Sequence, residues 1–221
     1  MTFEEYFGNW SKIIDKNELY KSICNPSISG NKLLCPAYND IFNCFHRCEL
    51  NELKVVILGL SPYPQLGKAT GIAFGNDSNT LEENLSPSLQ VIKESVIDYE
   101  IPHNSIIFDP SFQEWEKQGV LMLNSALTCT AGNPMSHVNV WRNFISNVIY
   151  NTSRYMTACV YVLFGEIAQT FSPYIYKHNY IIKEKHPSYY ARTSQKLRHS
   201  LWDEINKHLN NKINWYEEVF Y

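Results

Sequence analysis

Apolar positions in this chain follow two spacings that take turns. From Thr2 to Ile23, the residues Phe3, Tyr6, Phe7, Trp10, Ile13 and Ile14 recur at helical intervals, which predicts an amphipathic helix. Breakers crowd Asn25-Pro-Ser-Ile-Ser-Gly30 and predict a loop. Tyr38 to Cys48 reads as a second helix, with Ile41, Phe42 and Phe45 facing inward. Short apolar runs without alternation then appear at Lys54–Gly59, Gly119–Asn124, Ala158–Phe164 and Asn179–Lys183. Runs of that kind are strands covered on both faces, and covered strands belong to parallel sheets. Helical spacing returns at Ser88–Tyr99, Asn139–Tyr155, Glu166–Thr170 and Thr193–Asn210. Strands that alternate with helices predict an α/β fold: a central, mainly parallel four-stranded sheet flanked by helices on both faces. The sequence contains no internal repeat and no linker, so residues 1–221 are expected to form a single domain.

Composition narrows the class. With 221 residues, 44% of them hydrophobic and 19% charged, the chain has the make-up of a globular protein with one sizeable core. Its apolar runs are strand-length, too short to cross a bilayer, so no membrane partner is expected. The start, Met1-Thr-Phe-Glu-Glu-Tyr, lacks a basic segment followed by an apolar one, which predicts an intracellular protein, cytoplasmic or nuclear, and not a secreted one. Its six cysteines are then expected to be reduced. A net charge of −3 argues against gripping nucleic acid through overall charge, yet it leaves room for local phosphate contacts.

Three predicted strands run into polar, turn-forming clusters: Ser61–Gly71, Asn124–Trp141 and His186–Arg192. In an open α/β sheet such clusters converge on one crevice beyond the strand ends. Tyr63, Phe74, Asn124 and His186 would give that crevice a planar stacking surface, a two-edged amide and an imidazole. This is equipment for holding a flipped nucleobase. By spacing alone, the asparagine reads equally well as a turn residue and the histidine as a structural one.

The motifs decide between these readings. Cys35-Pro-Ala-Tyr-Asn-Asp-Ile-Phe-Asn-Cys-Phe45 and Lys54-Val-Val-Ile-Leu-Gly-Leu-Ser-Pro-Tyr-Pro64 are followed by Gly71-Ile-Ala-Phe74, Ser86-Pro-Ser-Leu89 and Trp115–Asn124. Ser136-His137 with Trp141, Phe164-Gly165 with Ala168-Gln169, and His186-Pro-Ser188 complete the series. In this order, from about Trp10 to Trp215, the chain resembles family-1 uracil-DNA glycosylases. The resemblance implies hydrolysis of the N-glycosidic bond of deoxyuridine in DNA, without cofactor or metal. It implies uracil-binding roles for Leu60, Tyr63, Phe74 and Asn124, with His186 bonding the departing uracil. It further implies DNA contacts from Ser86, Ser88, Ser136, His137, Ser188, Tyr190 and Arg192. Among these, Tyr190 lies near the place of the family's DNA-wedging leucine.

The pattern breaks at Ser61, which stands where the family carries a water-positioning aspartate. A hydroxyl orients a water but carries no charge, and losing such a carboxylate costs ~10²–10⁴ in rate. Leu60 and Pro64 also depart from the family's glutamine and histidine. Ser61 therefore keeps a second reading open: a glycosylase-fold DNA-binding or scaffold protein with weakened or lost catalysis. The Pro-Tyr-Pro turn and the ending Ile213-Asn-Trp215…Phe220-Tyr221 are similar to poxviral members. That similarity makes a replication or polymerase partner a candidate beside uracil-containing DNA and a proteinaceous glycosylase inhibitor. Cys24, Cys35, Cys44 and Cys48 cluster near the N-terminus, but their spacing matches no compact metal motif.

Overall fold

The computed structural model describes residues 1–97 and 106–218. Its centre is a parallel sheet of four strands, β2 (Val55–Gly59), β4 (Val120–Asn124), β6 (Val160–Phe164) and β7 (Tyr180–Glu184), in the order β4-β2-β6-β7. Every residue of β2, β4 and β6 is buried, which requires cover on both faces of the sheet. β7 is an edge strand and buries only Ile182. The four strands are those predicted, to within two residues.

Helices α1 (Phe3–Phe7), α2 (Lys16–Ile23), α3 (Asn43–Arg47), α4 (Pro87–Val96), α5 (Gln113–Lys117), α6 (Val138–Tyr155), α7 (Glu166–Gln169), α8 (Pro187–Thr193) and α9 (Ser200–Lys207) flank it. Two antiparallel pairs lie outside the main sheet: β1 (Leu34–Cys35) with β5 (Cys129–Thr130), and β3 (Ile106–Ile107) with β8 (Glu217–Glu218). Pairs this short carry no readable alternation, so periodicity did not predict them. The β1–β5 pair matters for the site, because it fastens the N-terminal quarter to the loop after β4.

Three predicted helices are shorter or broken. Thr2–Ile23 is interrupted because Gly8 takes a left-handed φ of 51°, and Asp15 then caps a new helix by accepting from the N–H groups of Asn17 and Glu18. Tyr38–Cys48 splits into a 3₁₀ turn and α3. The predicted Thr193–Asn210 helix exists only as α9, since left-handed Ser194 ends α8 at Thr193. Tertiary bonds then hold the connecting segment, including a 2.7 Å contact between His199 Nδ1 and the Ser95 carbonyl. The tail of the predicted Ser88–Tyr99 helix, at Asp98 and Tyr99, lies outside the described residues, as do Phe220 and Tyr221.

Candidate active site

Gly59 and Asn124 end adjacent strands in register, where an open α/β sheet places its crevice. The N–H groups of Ser125 and Ala126 donate to the carbonyls of Gly59 and Leu60 at 3.0 and 3.1 Å, locking the two strand ends together. Leu60 thus takes part through its backbone. A Cβ on Gly59 would sit 2.8 Å from Asn124 Oδ1 and 2.9 Å from the Phe74 ring. Bare backbone at this position is what lets the amide and the ring close over the end of β2.

Phe74 is a non-glycine residue held at φ 63°, a strained conformation. Two bonds sustain it: Ala73 N–H donates to the Met122 carbonyl at 3.1 Å, and the Tyr63 hydroxyl donates to the Phe74 carbonyl at 2.7 Å. Burial pushes the Tyr63 phenol up, so it stays a protonated donor. The Phe74 ring meets Phe164 edge-on at 5.7 Å and lies 5.4 Å from the His186 imidazole. Phe74 thus links residues distant in sequence: Tyr63 bonds its carbonyl, its ring meets the Asn124 amide over Gly59, and His186 lies beside it.

His186 caps α8. Its Nδ1 accepts the Ser188 backbone N–H at 3.2 Å and lies 2.8 Å from the Ser188 hydroxyl. A backbone N–H only donates, so Nδ1 holds the lone pair and a neutral ring carries its proton on Nε2. Burial, aided by the Arg192 charge, lowers the imidazole to about 4, which keeps it neutral at physiological pH. Gly165, at φ 87°, passes close enough that a Cβ would sit 3.0 Å from His186 Cβ.

Ser61 is half-buried, two residues past the end of β2. Its Oγ accepts the Met135 N–H at 3.3 Å, leaving the hydroxyl proton free to point elsewhere. The nearer acidic residues of the matched loops are otherwise engaged: Glu82 pairs with Lys93, and Asp77 closes its own turn with Asn79.

The remaining predicted residues divide by exposure. Ser136 is exposed, its Oγ accepting the Thr130 N–H at 2.9 Å, and Arg192 is exposed. Ser188 is half-buried beside His186. Ser86 is buried, its N–H and Oγ bonded to the Asn76 side chain at 2.8 and 2.9 Å, and Ser88 is buried in the first turn of α4. His137 is buried with both ring nitrogens engaged, Nδ1 by Thr128 at 2.9 Å and Nε2 by Thr130 at 3.2 Å. Tyr190 packs partly against the core and donates its hydroxyl to Glu184 at 3.2 Å.

Sequence reasoning passed over Gly59, Asn76, Thr128 and the Met135 backbone. Only a strand-final glycine beside a motif signalled the first of these. Among the described residues no His, Cys, Asp or Glu group is placed to hold a metal ion. Cys35, Cys44 and Cys48 are buried, and Cys24 is exposed.

Comparison with known proteins gives the chain its family. The family model of the uracil DNA glycosylase superfamily matches residues 45–210. A protein of Buchnera aphidicola named uracil-DNA glycosylase is 34% identical over 188 residues, 84% of this chain and 78% of that one. One from Campylobacter jejuni subsp. doylei with the same name is 38% identical over 180 residues, covering 80% and 74%. Among solved structures, mimivirus uracil-DNA glycosylase superimposes with a TM-score of 0.71 at 21% identity over 96% of this chain and 91% of that one. The enzyme of Nitratifractor salsuginis gives 0.59 at 18% identity, covering 89% and 92%. With a family model matched over most of its length and relatives above 30% identity, this chain belongs to the uracil DNA glycosylase superfamily.

Proposed function

We propose that the protein is a uracil-DNA glycosylase: a hydrolase that releases uracil from deoxyuridine flipped out of DNA, in base excision repair. The observation that carries this reading is the convergence of Phe74, Asn124 and a neutral, Nε2-protonated His186 on one crevice. In this mechanism Phe74 stacks on the extruded base, worth ~1–3 kcal/mol. Asn124 offers its carbonyl to uracil N3–H and its amide to O4, a pairing that cytosine mismatches. Tyr63 fills the space beside C5 and excludes the methyl of thymine.

Bond cleavage places negative charge on the leaving uracil. His186 Nε2–H donates to O2 as that charge grows, and a neutral donor does so without surrendering its proton first. Ser61 orients the attacking water by its hydroxyl. Ser136, Ser188 and Arg192 hold phosphates and bend the strand so that the base leaves the stack. Ser86, Ser88 and His137 support the same surface from beneath, and the burial of all three favours that indirect part. Tyr190, braced by Glu184, fills the vacated stack.

The whole chain acts as one domain, inside the cell, on uracil-containing DNA. The solved mimivirus structures include complexes with UGI, and a proteinaceous inhibitor of that kind is a proposed partner here. No helix among the described residues is long and apolar enough to cross a membrane.

One observation favours a second reading. Ser61 is uncharged and its oxygen already accepts Met135 N–H, which suits a DNA-binding protein with weakened catalysis. A cleavage assay on a labelled oligonucleotide holding one uracil, followed by alkali, separates the two. Release by the wild type that His186→Ala removes supports the enzyme. Release by Ser61→Asp alone supports the weakened form.

A further inference from the structure

The end of α6 and the segment leading into β7 form a surface that the glycosylase reading does not use. These residues precede the N-terminal ends of β6 and β7, whereas the crevice lies beyond the C-terminal ends. Five-residue strands at about 3.3 Å per residue put roughly 15 Å of sheet between the two. Tyr150 and Tyr176 are 42% and 43% exposed, and Arg154, Lys177 and His178 are exposed with them.

This surface is built, not loose. Buried Ser153 donates to the carbonyls of Tyr150 and Tyr174 and accepts the Tyr176 N–H at 3.0 Å. Asn179 donates to the carbonyls of Ser153 and Tyr176, and the His178 ring bonds the Met156 carbonyl. Arg154 lies between two rings, 5.6 Å from Tyr150 and 5.7 Å from Tyr176, and donates to the Tyr150 hydroxyl at 3.0 Å. Side chains fixed in this way lose little entropy when a partner arrives, and rigid tyrosine with arginine is the composition of binding hot spots.

Charge says what kind of partner fits. Glu166 is the sole carboxylate between Glu116 and Glu184, and it sits at the crevice end of β6. Among the described residues neither Arg154 nor Lys177 has an acidic partner. We propose that this face docks an acidic protein segment, whose carboxylates meet Arg154, Lys177 and the tyrosine hydroxyls while its apolar side chains lie on the rings. A single-stranded nucleic acid is disfavoured because base stacking needs open ring faces, and Arg154 covers one face of both Tyr150 and Tyr176.

Fluorescence anisotropy with a labelled peptide of about fifteen residues, built from Glu, Asp and Leu, tests this at low salt, where screening is weakest. The wild type should bind, and Arg154→Glu and Tyr176→Ala should each weaken binding by about tenfold. Arg154→Lys, which keeps the charge and loses the flat stacking, should fall between. Uracil release and the melting temperature should not change in any of these, which separates a docking defect from misfolding. Absence of peptide binding, or equal binding by the wild type and Arg154→Glu, overturns the proposal. So does tight binding of labelled oligothymidine that Arg154→Glu abolishes, since the face would then be a nucleic-acid track.

Discussion

The two sides of the crevice are made differently. The proposed base-holding side consists of Phe74, Asn124, Tyr63 and His186, each set by a bond or close approach. The proposed water side rests on Ser61, half-buried, tied to the exposed loop Gly132–Ser136 through one 3.3 Å bond. In the proposed mechanism recognition is thus determined several times over, whereas activation of water hangs on a single uncharged oxygen. A protein built this way keeps its ability to hold uracil when its chemistry weakens.

The sharpest way to break that contrast is to restore charge on the water side. Ser61→Asp should raise single-turnover uracil release by ~10²–10⁴ while leaving product affinity near the wild type's. An unchanged rate would mean that Ser61 is not at the water. On the opposite side, His186→Ala should lower the rate by about 10²–10³, as loss of one oxyanion donor does. A wild-type rate in that variant would remove His186 from the chemistry.

Gly59→Val comes next, because the added carbons occupy the space of Asn124 Oδ1 and the Phe74 ring. Overpacking of this kind costs about 1–3 kcal/mol, and uracil binding should be lost along with it. A crystal structure or isothermal titration with uracil would show whether the pocket has closed. Retained binding would mean that the base sits elsewhere.

Acid provides a milder probe. The folded His186 titrates at about 4, against 6.5 ordinarily. Between those values the unfolded chain binds a proton that the folded chain refuses. Stability from this residue is therefore complete above pH 6.5 and is lost as pH falls toward 4, by about 3 kcal/mol. Thermal melts at pH 7 and pH 4.5 should converge in part when wild type is compared with His186→Ala, and identical pH slopes would contradict it. The smallest effect expected is that of Ser136→Ala, a few-fold rise in KM with kcat kept, because a single phosphate hydrogen bond is worth about 1 kcal/mol.

How much of this was legible depends on the range of the interaction. The four central strands were readable because burial on both faces writes an uninterrupted apolar run, as in Val120–Leu123. Asn124 and His186 could be singled out because their motifs sit at or just beyond strand ends, and Phe74 by the Gly71-Ile-Ala-Phe74 motif alone. Ser86 and His137 carry equally good motifs, and yet the fold buries both, one under Asn76 and the other between Thr128 and Thr130. Those partners are side chains ten or fewer residues away whose direction no periodicity encodes. The broken N-terminal helix was hidden for a related reason, since Phe7 and Trp10 keep helical spacing across the turn at Gly8 while both reach the core.

Taken alone, the sequence determined the helix-flanked sheet and its strand ends, and it named the groups proposed to meet a base. Those follow from hydrophobic period and motif order, which are properties of the chain read in one dimension. Tertiary structure alone decided which nitrogen of His186 bears the proton, that Gly59 must stay bare, and that Ser61 already accepts a backbone N–H. Each of these is set by an atom a few ångströms away in space, contributed by a neighbouring loop or strand, and hydrogen-bond geometry of that kind exists only once the chain has folded.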